Sequence, residues 1–319
     1  MKLVVLISCF LLPLVLSHIS AAPKIVMYWG QDSAGGETSL KSFCQQADYD
    51  VINLSFMISF IDTRQPTCAI PNAPDLNFAN HGDLCAVWPN CPFLLNCSTT
   101  IGEDILYCQS VGKKIVLSLG GAVGSYGFTS DSQAISFAST LWGMFFEGQA
   151  QLRPFGRAIL DGVDLDIEGG STAGYSAFVK TLRDTMSKSS RPYIISGAPQ
   201  CPFPDAYLGP APGKALGDAA SSFSYVSVQF YNNYCGVNSP SDFWAAFAEW
   251  HTTAASADIL LMVGLPSAPS AGGGWVSADV ICSMVPRLKT FSHFGGFMFW
   301  DASWDMKNNW YTKQIRACF

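Results

Sequence analysis

Eight short runs rich in Val, Ile, Leu and Phe recur along the chain, at Ile25–Trp29, Val51–Phe60, Lys114–Leu119, Gly162–Ile167, Tyr193–Ala198, Tyr225–Phe230, Ile259–Gly264 and Gly295–Trp300. Few of them alternate strictly between apolar and polar residues. A strand covered on both faces needs apolar side chains on both, so such runs point to a parallel sheet buried between layers. Segments between them, such as Ala134–Phe146, Tyr175–Ser187 and Asp242–Thr253, read as helices. Eight strands alternating with helices in 319 residues predict an α/β fold, a single-domain (β/α)8 TIM barrel. The competing architecture is a doubly wound sheet. It wants a GxGxxG turn after its first strand, and the stretch from Tyr28 to Gly36, YWGQDSAGG, does not supply one.

Composition agrees with a large core, since 49% of residues are hydrophobic and only 13% are charged. The N-terminus places Lys2 before an apolar run that ends in the small residues Ser20-Ala21-Ala22. That pattern predicts a signal peptide over residues 1–22 and a mature domain over 23–319. The rival, an uncleaved anchor, fits less well because the apolar core is short. No later stretch is apolar for long enough to span a bilayer, so no membrane partner is expected. A net charge of −6 without a basic run argues against nucleic acid and for a neutral partner.

Cys9 lies in the signal, and the ten remaining cysteines allow up to five disulfides in a secreted chain. A zinc site is the alternative, but no CxxC pair accompanies the scattered His18, His81, His251 and His293. No metal or cofactor is expected. Residues 63–100 interrupt the rhythm with five prolines and with Cys68, Cys85, Cys91 and Cys97. This is a long, disulfide-stapled loop insertion without clear periodicity. Asn96-Cys97-Ser98 is a glycosylation sequon, and Asn53-Leu54-Ser55 is another that falls in a predicted strand and is expected to be buried.

The stretch Asp161-Gly-Val-Asp164-Leu-Asp166-Ile-Glu168 crowds four acids into eight residues. On a strand, Asp164, Asp166 and Glu168 share one face, while Val163, Leu165 and Ile167 share the other. Successive acids climb by about 7 Å, which puts Glu168 uppermost at the C-terminal mouth, where barrels of this kind hold their active sites. Like charges in a low-dielectric interior raise one another's pKa, so the ladder shares protons and one acid stays protonated as a general acid. Clustered carboxylates also suit Ca²⁺ or Mg²⁺. However, the interleaved Val, Leu and Ile exclude a flexible calcium loop, and ligands stacked along one strand converge poorly. A purely structural ladder would be costly to bury.

This stretch resembles the DxxDxDxE signature of family 18 glycoside hydrolases. Further matches follow in order along nearly all of the mature chain. They are Tyr28-Trp-Gly-Gln31, Asn53-Leu-Ser-Phe56, Ser118-Leu-Gly-Gly121, Ala198-Pro-Gln-Cys-Pro-Phe-Pro204, Gln229-Phe-Tyr-Asn-Asn233 and Gly295-Gly-Phe-Met-Phe-Trp300. Together they look like a plant class III chitinase of the hevamine type. The resemblance implies a retaining, substrate-assisted mechanism with Glu168 as acid and Asp166 orienting the substrate's acetamido group. Asp164 would share a proton from behind, and Tyr231 would donate to the acetamido oxygen. Tyr28, Gln31, Phe56, Asn77, Gly121, Gln229 and Trp300 would bind substrate. Read without the resemblance, Tyr231 and Trp300 would be core aromatics, and Gly120-Gly121 a bulge or tight turn.

The resemblance also implies disulfides Cys44–Cys108 and Cys201–Cys235, with an additional Cys282–Cys318. Three connectivities remain open within the insertion. It further implies cis peptides at Ser55–Phe56 and Trp300–Asp301. The expected protein is a secreted endochitinase, extracellular or vacuolar and monomeric, that acts on chitin or N-acetylglucosamine oligosaccharides in plant defence. The resemblance extends to relatives that also cleave peptidoglycan, so lysozyme activity is included in the expectation. A chitinase-like lectin or a hydrolase inhibitor is the alternative, and the intact motif acids weigh against both. A storage protein would need more than the 24 Asp and Glu present. Departures from the hevamine pattern are Ala122 for a third glycine, Gly169 for a histidine, the QDSAGGE loop and the longer insertion.

Overall fold

The computed structural model describes residues 24–319 except 47, 65–66, 80–83 and 125. The stretch expected to be a signal peptide, with Cys9 and His18, and His81 lie outside the described residues. Two strands open the barrel, β1 (Lys24–Trp29) and β2 (Val51–Ser59). The insertion then adds β3 (Asp75–Leu76), β4 (Ala86–Trp88) and β5 (Cys91–Asn96). Six more strands complete the barrel. They are β6 (Lys114–Gly121), β7 (Gly162–Ile167), β8 (Ile194–Gly197), β9 (Tyr225–Gln229), β10 (Leu260–Pro266) and β11 (Phe294–Trp300). The parallel order runs β1-β11-β10-β9-β8-β7-β6-β2, and β1 also pairs with β2, which closes the sheet on itself. The expected eight-stranded barrel is present.

Apolar runs close in this way because both faces are covered: in β1, Ile25, Met27 and Trp29 pack in the outer core and Val26 and Tyr28 in the inner one. β7 differs in carrying acids on its inner face. All six of its residues are buried. Val163, Leu165 and Ile167 face the shell of helices, while Asp164 and Asp166 face inward. The shell comprises α1 (Leu40–Gln46), α2 (Ile101–Ser110), α3 (Asp131–Phe145), α4 (Tyr175–Met186), α5 (Ala215–Asp218), α6 (Pro240–Ala257), α7 (Ala278–Leu288), α8 (Ala302–Lys307) and α9 (Tyr311–Arg316). In α4 the buried residues Tyr175, Phe178, Val179, Leu182 and Met186 recur at helical spacing and form one stripe against the sheet. Ser130 caps α3, its Oγ accepting from the Gln133 N–H at 3.3 Å. Pro240 begins α6 where a missing N–H costs nothing, and Asp258 ends it in the left-handed region at φ 55°.

The disulfide-stapled insertion is present, and short strands run within it. β3 pairs antiparallel with β2, Ser59 facing Asp75, and β4 with β5 makes a hairpin. Strands of two or three residues are too short to show a periodicity of two, so the sequence pattern could not report them. Cys68–Cys91 and Cys85–Cys97 staple this region and settle the open connectivity. The Arg64 guanidinium bridges Asp62 and Asp75 and lies 4.0 Å from the centre of the Phe93 ring. Cys44–Cys108 and Cys201–Cys235 pair as the resemblance implied, and Cys282–Cys318 forms the extra bridge expected. Asn53 is fully buried in β2, whereas Asn96 is only partly buried in β5. Among the described residues no helix is long and apolar enough to cross a membrane.

Candidate active site

At the C-terminal ends of the strands lies a cavity of about 130 Å³ lined by Phe56, Ala122, Asp166, Glu168, Gln229, Tyr231, Asn232 and Trp300. A larger hollow of about 550 Å³ lies between residues 210–221 and the end of α6, but its only ionisable lining residue is Asp218. The acids Asp166 and Glu168 line the smaller one.

The acid ladder is built from β7 upward. Asp164 is fully buried and accepts three hydroxyls, from Tyr28 at 2.6 Å, Ser118 at 2.8 Å and Ser196 at 2.7 Å. Each hydrogen bond to a charged group is worth about 1.5–3 kcal/mol, so three of them offset much of the cost of burial. Burial still raises the Asp164 pKa. Asp166 accepts the Gln229 side-chain N–H at 2.9 Å. Its pKa stands well above the usual carboxylate value, first through burial and then through the charges of Glu168, Asp164 and Asp205. Glu168 is the most open of the three and is raised by burial. Two adjacent raised carboxyls hold one proton between them at a pH where isolated ones would have lost it.

The neighbouring strands fix this ladder in register. Gly120 and Gly121 extend β6 beyond Leu119 and pair with Asp166 and Ile167, so they form neither a bulge nor a turn. Gly120 lies at φ 110°, and a β-carbon there would stand 2.2 Å from the Asp166 carbonyl oxygen, so only glycine fits. At Gly121 a β-carbon would meet the Phe56 ring at 3.0 Å. β10 likewise runs on to Pro266, pairing with Trp300. The peptides Ser55–Phe56 and Trp300–Asp301 are both cis. Trp300 stacks on Phe56 with centroids 5.7 Å apart and packs edge-to-face with Tyr28 at 5.6 Å.

The predicted site residues divide by depth. Asp166, Glu168, Tyr231, Gln229, Phe56 and Trp300 line the cavity together. Tyr28 lies beneath it at 1% exposure, with its hydroxyl committed to Asp164. Gln31 stands at the rim, its amide N–H donated to the carbonyls of Ser55 and Asn77 at 2.8 and 3.0 Å. Asn77 is exposed, and its own carbonyl Oδ1 accepts the Ala79 N–H at 2.7 Å. Tyr231 is buried, and burial together with Asp166 and Glu168 raises its pKa far above the ordinary phenol value, which keeps it a hydrogen-bond donor.

Sequence reasoning missed three residues that touch the ladder. Tyr126 accepts the Glu168 N–H at 3.0 Å and donates to the Gly121 carbonyl at 2.6 Å, tying the ends of β6 and β7 together. Gln200 donates its side-chain N–H to Glu168 Oε2 at 3.2 Å. Asp205, buried close by, adds its charge to the field on both upper acids. Gln200 and Asp205 lie in or just past the quoted Ala198–Pro204 match, while no periodicity marks Tyr126. Among the described residues no group of three or more His, Cys, Asp or Glu is arranged to hold a metal ion.

The sequence profile described as "Glycosyl hydrolases family 18" matches residues 24–271. This chain belongs to that family. Among curated relatives, chitinase 2 of Rhizopus oligosporus is 42% identical over 93% of this chain and 52% of its own length. The acidic endochitinase of Arabidopsis thaliana is 36% identical, with 92% and 89% covered. The chain spans about half the length of the first curated relatives it matches. Among solved structures, a chitinase from Ipomoea carnea superposes with a TM-score of 0.76 at 33% identity, covering 93% of this chain and 100% of that one. The xylanase–α-amylase inhibitor XAIP-I also reaches 0.76, at 28% identity, covering 93% and 99%.

Proposed function

We propose that this family 18 chain is a secreted endochitinase that hydrolyses β-1,4 bonds between N-acetylglucosamine units by a retaining, substrate-assisted mechanism. The observation that carries the reading is the meeting of Asp166, Glu168 and Tyr231 in one cavity beside Trp300. In the proposed reaction Glu168 gives its proton to the glycosidic oxygen as the bond from that oxygen to the anomeric carbon breaks. The acetamido oxygen of the same sugar bonds to that carbon, forming an oxazolinium ion. Asp166 faces the acetamido N–H, and Tyr231 donates to the acetamido oxygen as it closes on the carbon. Water then opens the ring of the intermediate, giving its proton to Glu168, and the product keeps its anomeric configuration. Tyr28 and Asp164 act from below, through Asp166.

We further propose that residues 1–22 are removed on secretion and that residues 23–319 form one monomeric, hevamine-type catalytic domain. Its expected destination is the extracellular space or the vacuole. The test is turnover of a soluble chitin oligosaccharide with the anomer of the first product read by NMR. Release of internal fragments with retained configuration is expected; inversion would refute the mechanism. The likeness to XAIP-I favours a second reading, a binding protein that has kept the barrel. Binding of chitin oligosaccharides without release of products would decide for it.

A further inference from the structure

We propose that Gln200 is a positioning residue for Glu168, aimed by Asn233 and by the Cys201–Cys235 disulfide, and that it selects which Glu168 oxygen carries the transferable proton. The proposal rests on the chitinase reading above. Gln200 follows β8 and bridges to Gln229 of β9. Its backbone N–H donates to Asp205 Oδ2 at 3.1 Å. The next residue, Cys201, donates its N–H to the Gln229 carbonyl at 3.3 Å and accepts the Trp250 indole N–H at 3.0 Å. The main chain at this point is thus held by a loop acid, a strand and a helix at once.

The side chain is held as firmly. The Nε2 of Gln200 donates to Glu168 Oε2 at 3.2 Å, while its Oε1 accepts from Asn233 Nδ2 at 3.3 Å. Asn233 lies two residues before Cys235, and Gln200 lies one before Cys201. One disulfide therefore joins the two segments whose side chains meet at the acid. An amide could turn either its N–H or its carbonyl toward a carboxyl group. Because Asn233 supplies a donor, the Gln200 carbonyl faces Asn233 and the N–H faces Glu168. An N–H needs an acceptor, so it engages the unprotonated Oε2 and leaves the proton on Oε1. A general acid fixed in one rotamer, with its proton on one known oxygen, loses less on reaching the transition state.

The ionisable groups facing Glu168 are Asp166 from β7, Asp205 from the loop after β8, Tyr231 after β9 and Tyr126 after β6. Burial raises Glu168, whereas the Gln200 and Gln229 N–H groups oppose that rise. Loss of the Gln200 N–H therefore raises the Glu168 pKa further and keeps its proton to higher pH.

The experiment compares the unmutated protein with Gln200→Met, Asn233→Ala and the double variant on a soluble chitin oligosaccharide across pH. Gln200→Met keeps the side-chain length and removes both amide contacts, and melting curves check that each variant folds. We expect Gln200→Met to lower kcat by about 10- to 100-fold with little change in KM, the cost of a misaimed catalytic group. The alkaline limb of kcat/KM should move to higher pH. Asn233→Ala should do less in the same direction, and the double variant should be no worse than Gln200→Met, since both act through one chain of bonds. Additive losses, or full kcat with an unmoved limb, would overturn the proposal. So would a loss of stability with an unmoved limb. If the unmutated protein shows no turnover, the chitinase reading fails by itself. NMR titration of the Glu168 carboxyl then tests the network separately, and an unchanged pKa in Gln200→Met overturns it.

Discussion

Glu168 is the uppermost of the ladder acids and the only one more than slightly exposed, which fits it to reach a leaving oxygen. Glu168→Gln keeps the shape of the side chain and much of its hydrogen bonding but has no proton to deliver. Hydrolysis should fall by at least about 10²–10⁴-fold while oligosaccharide binding, read by calorimetry, stays near the unmutated value. Asp166→Ala should also lower kcat more than it changes binding, because in the proposed mechanism Asp166 orients the acetamido group. The pH dependence has a definite sign. Both upper carboxyls are raised by burial, so the acid form of the pair survives above the usual carboxylate range. The alkaline limb of kcat/KM should accordingly lie above the ordinary glutamate value of about 4.3. A limb at that ordinary value would mean that the pair titrates as solvated acids do.

Among the elements, α8 and α9 are tied to the bottom of the barrel by one buried acid. Asp305 of α8 accepts the Tyr49 hydroxyl, and it accepts the Thr312 backbone N–H and hydroxyl at 2.8 Å each. Burial raises its pKa to about 6, against the hydrogen bonds that lower it. A carboxyl raised on folding binds its proton more tightly in the native state. Its stabilising contribution is complete below the unfolded value and fades as pH rises through the folded one. The stability of the unmutated protein minus that of Asp305→Asn should thus decrease between about pH 4 and pH 7, followed by denaturant titration at each pH. A difference that stays flat would show that Asp305 titrates normally in the fold. The insertion shows the limit of reading elements from pattern. Its short β3 exists because β2 offers it an edge, and β4 with β5 is held by Cys85–Cys97.

For the molecule as a whole, closure has a covalent supplement. The sheet is closed by hydrogen bonds between β1 and its two neighbours, and Cys282–Cys318 joins α7 to the residue next to the C-terminus across 36 positions. Closing a loop of that size restricts the unfolded chain by about 3–4 kcal/mol. Replacing both cysteines by alanine should reduce unfolding free energy by about that amount and lower the melting temperature, while leaving kcat at 25 °C unchanged. A variant as stable as the unmutated protein would place the whole effect of that bridge elsewhere.

The apolar runs marked strands covered on both sides, as in β1, which buries Ile25, Met27 and Trp29 on one face and Val26 and Tyr28 on the other. Eight such runs alternating with helices, without a GxGxxG turn, pointed to the barrel rather than to a doubly wound sheet. The period of two in Asp164-Leu-Asp166-Ile-Glu168 was enough to place three acids on one face and Glu168 at the mouth, since strand geometry is local. Resemblance, rather than pattern, supplied Tyr231 and Trp300, for an isolated aromatic carries no mark of what it faces. Only the closed sheet decided the rest. It brought Ser118 of β6, Ser196 of β8 and Tyr28 of β1 onto the oxygens of Asp164, and Gln200 and Asn233 onto Glu168. These partners lie between 32 and 136 positions from the acids they serve, or reach them through one another. A hydrogen bond between residues so distant in sequence leaves no periodicity to read, because its geometry comes from strand register and loop closure.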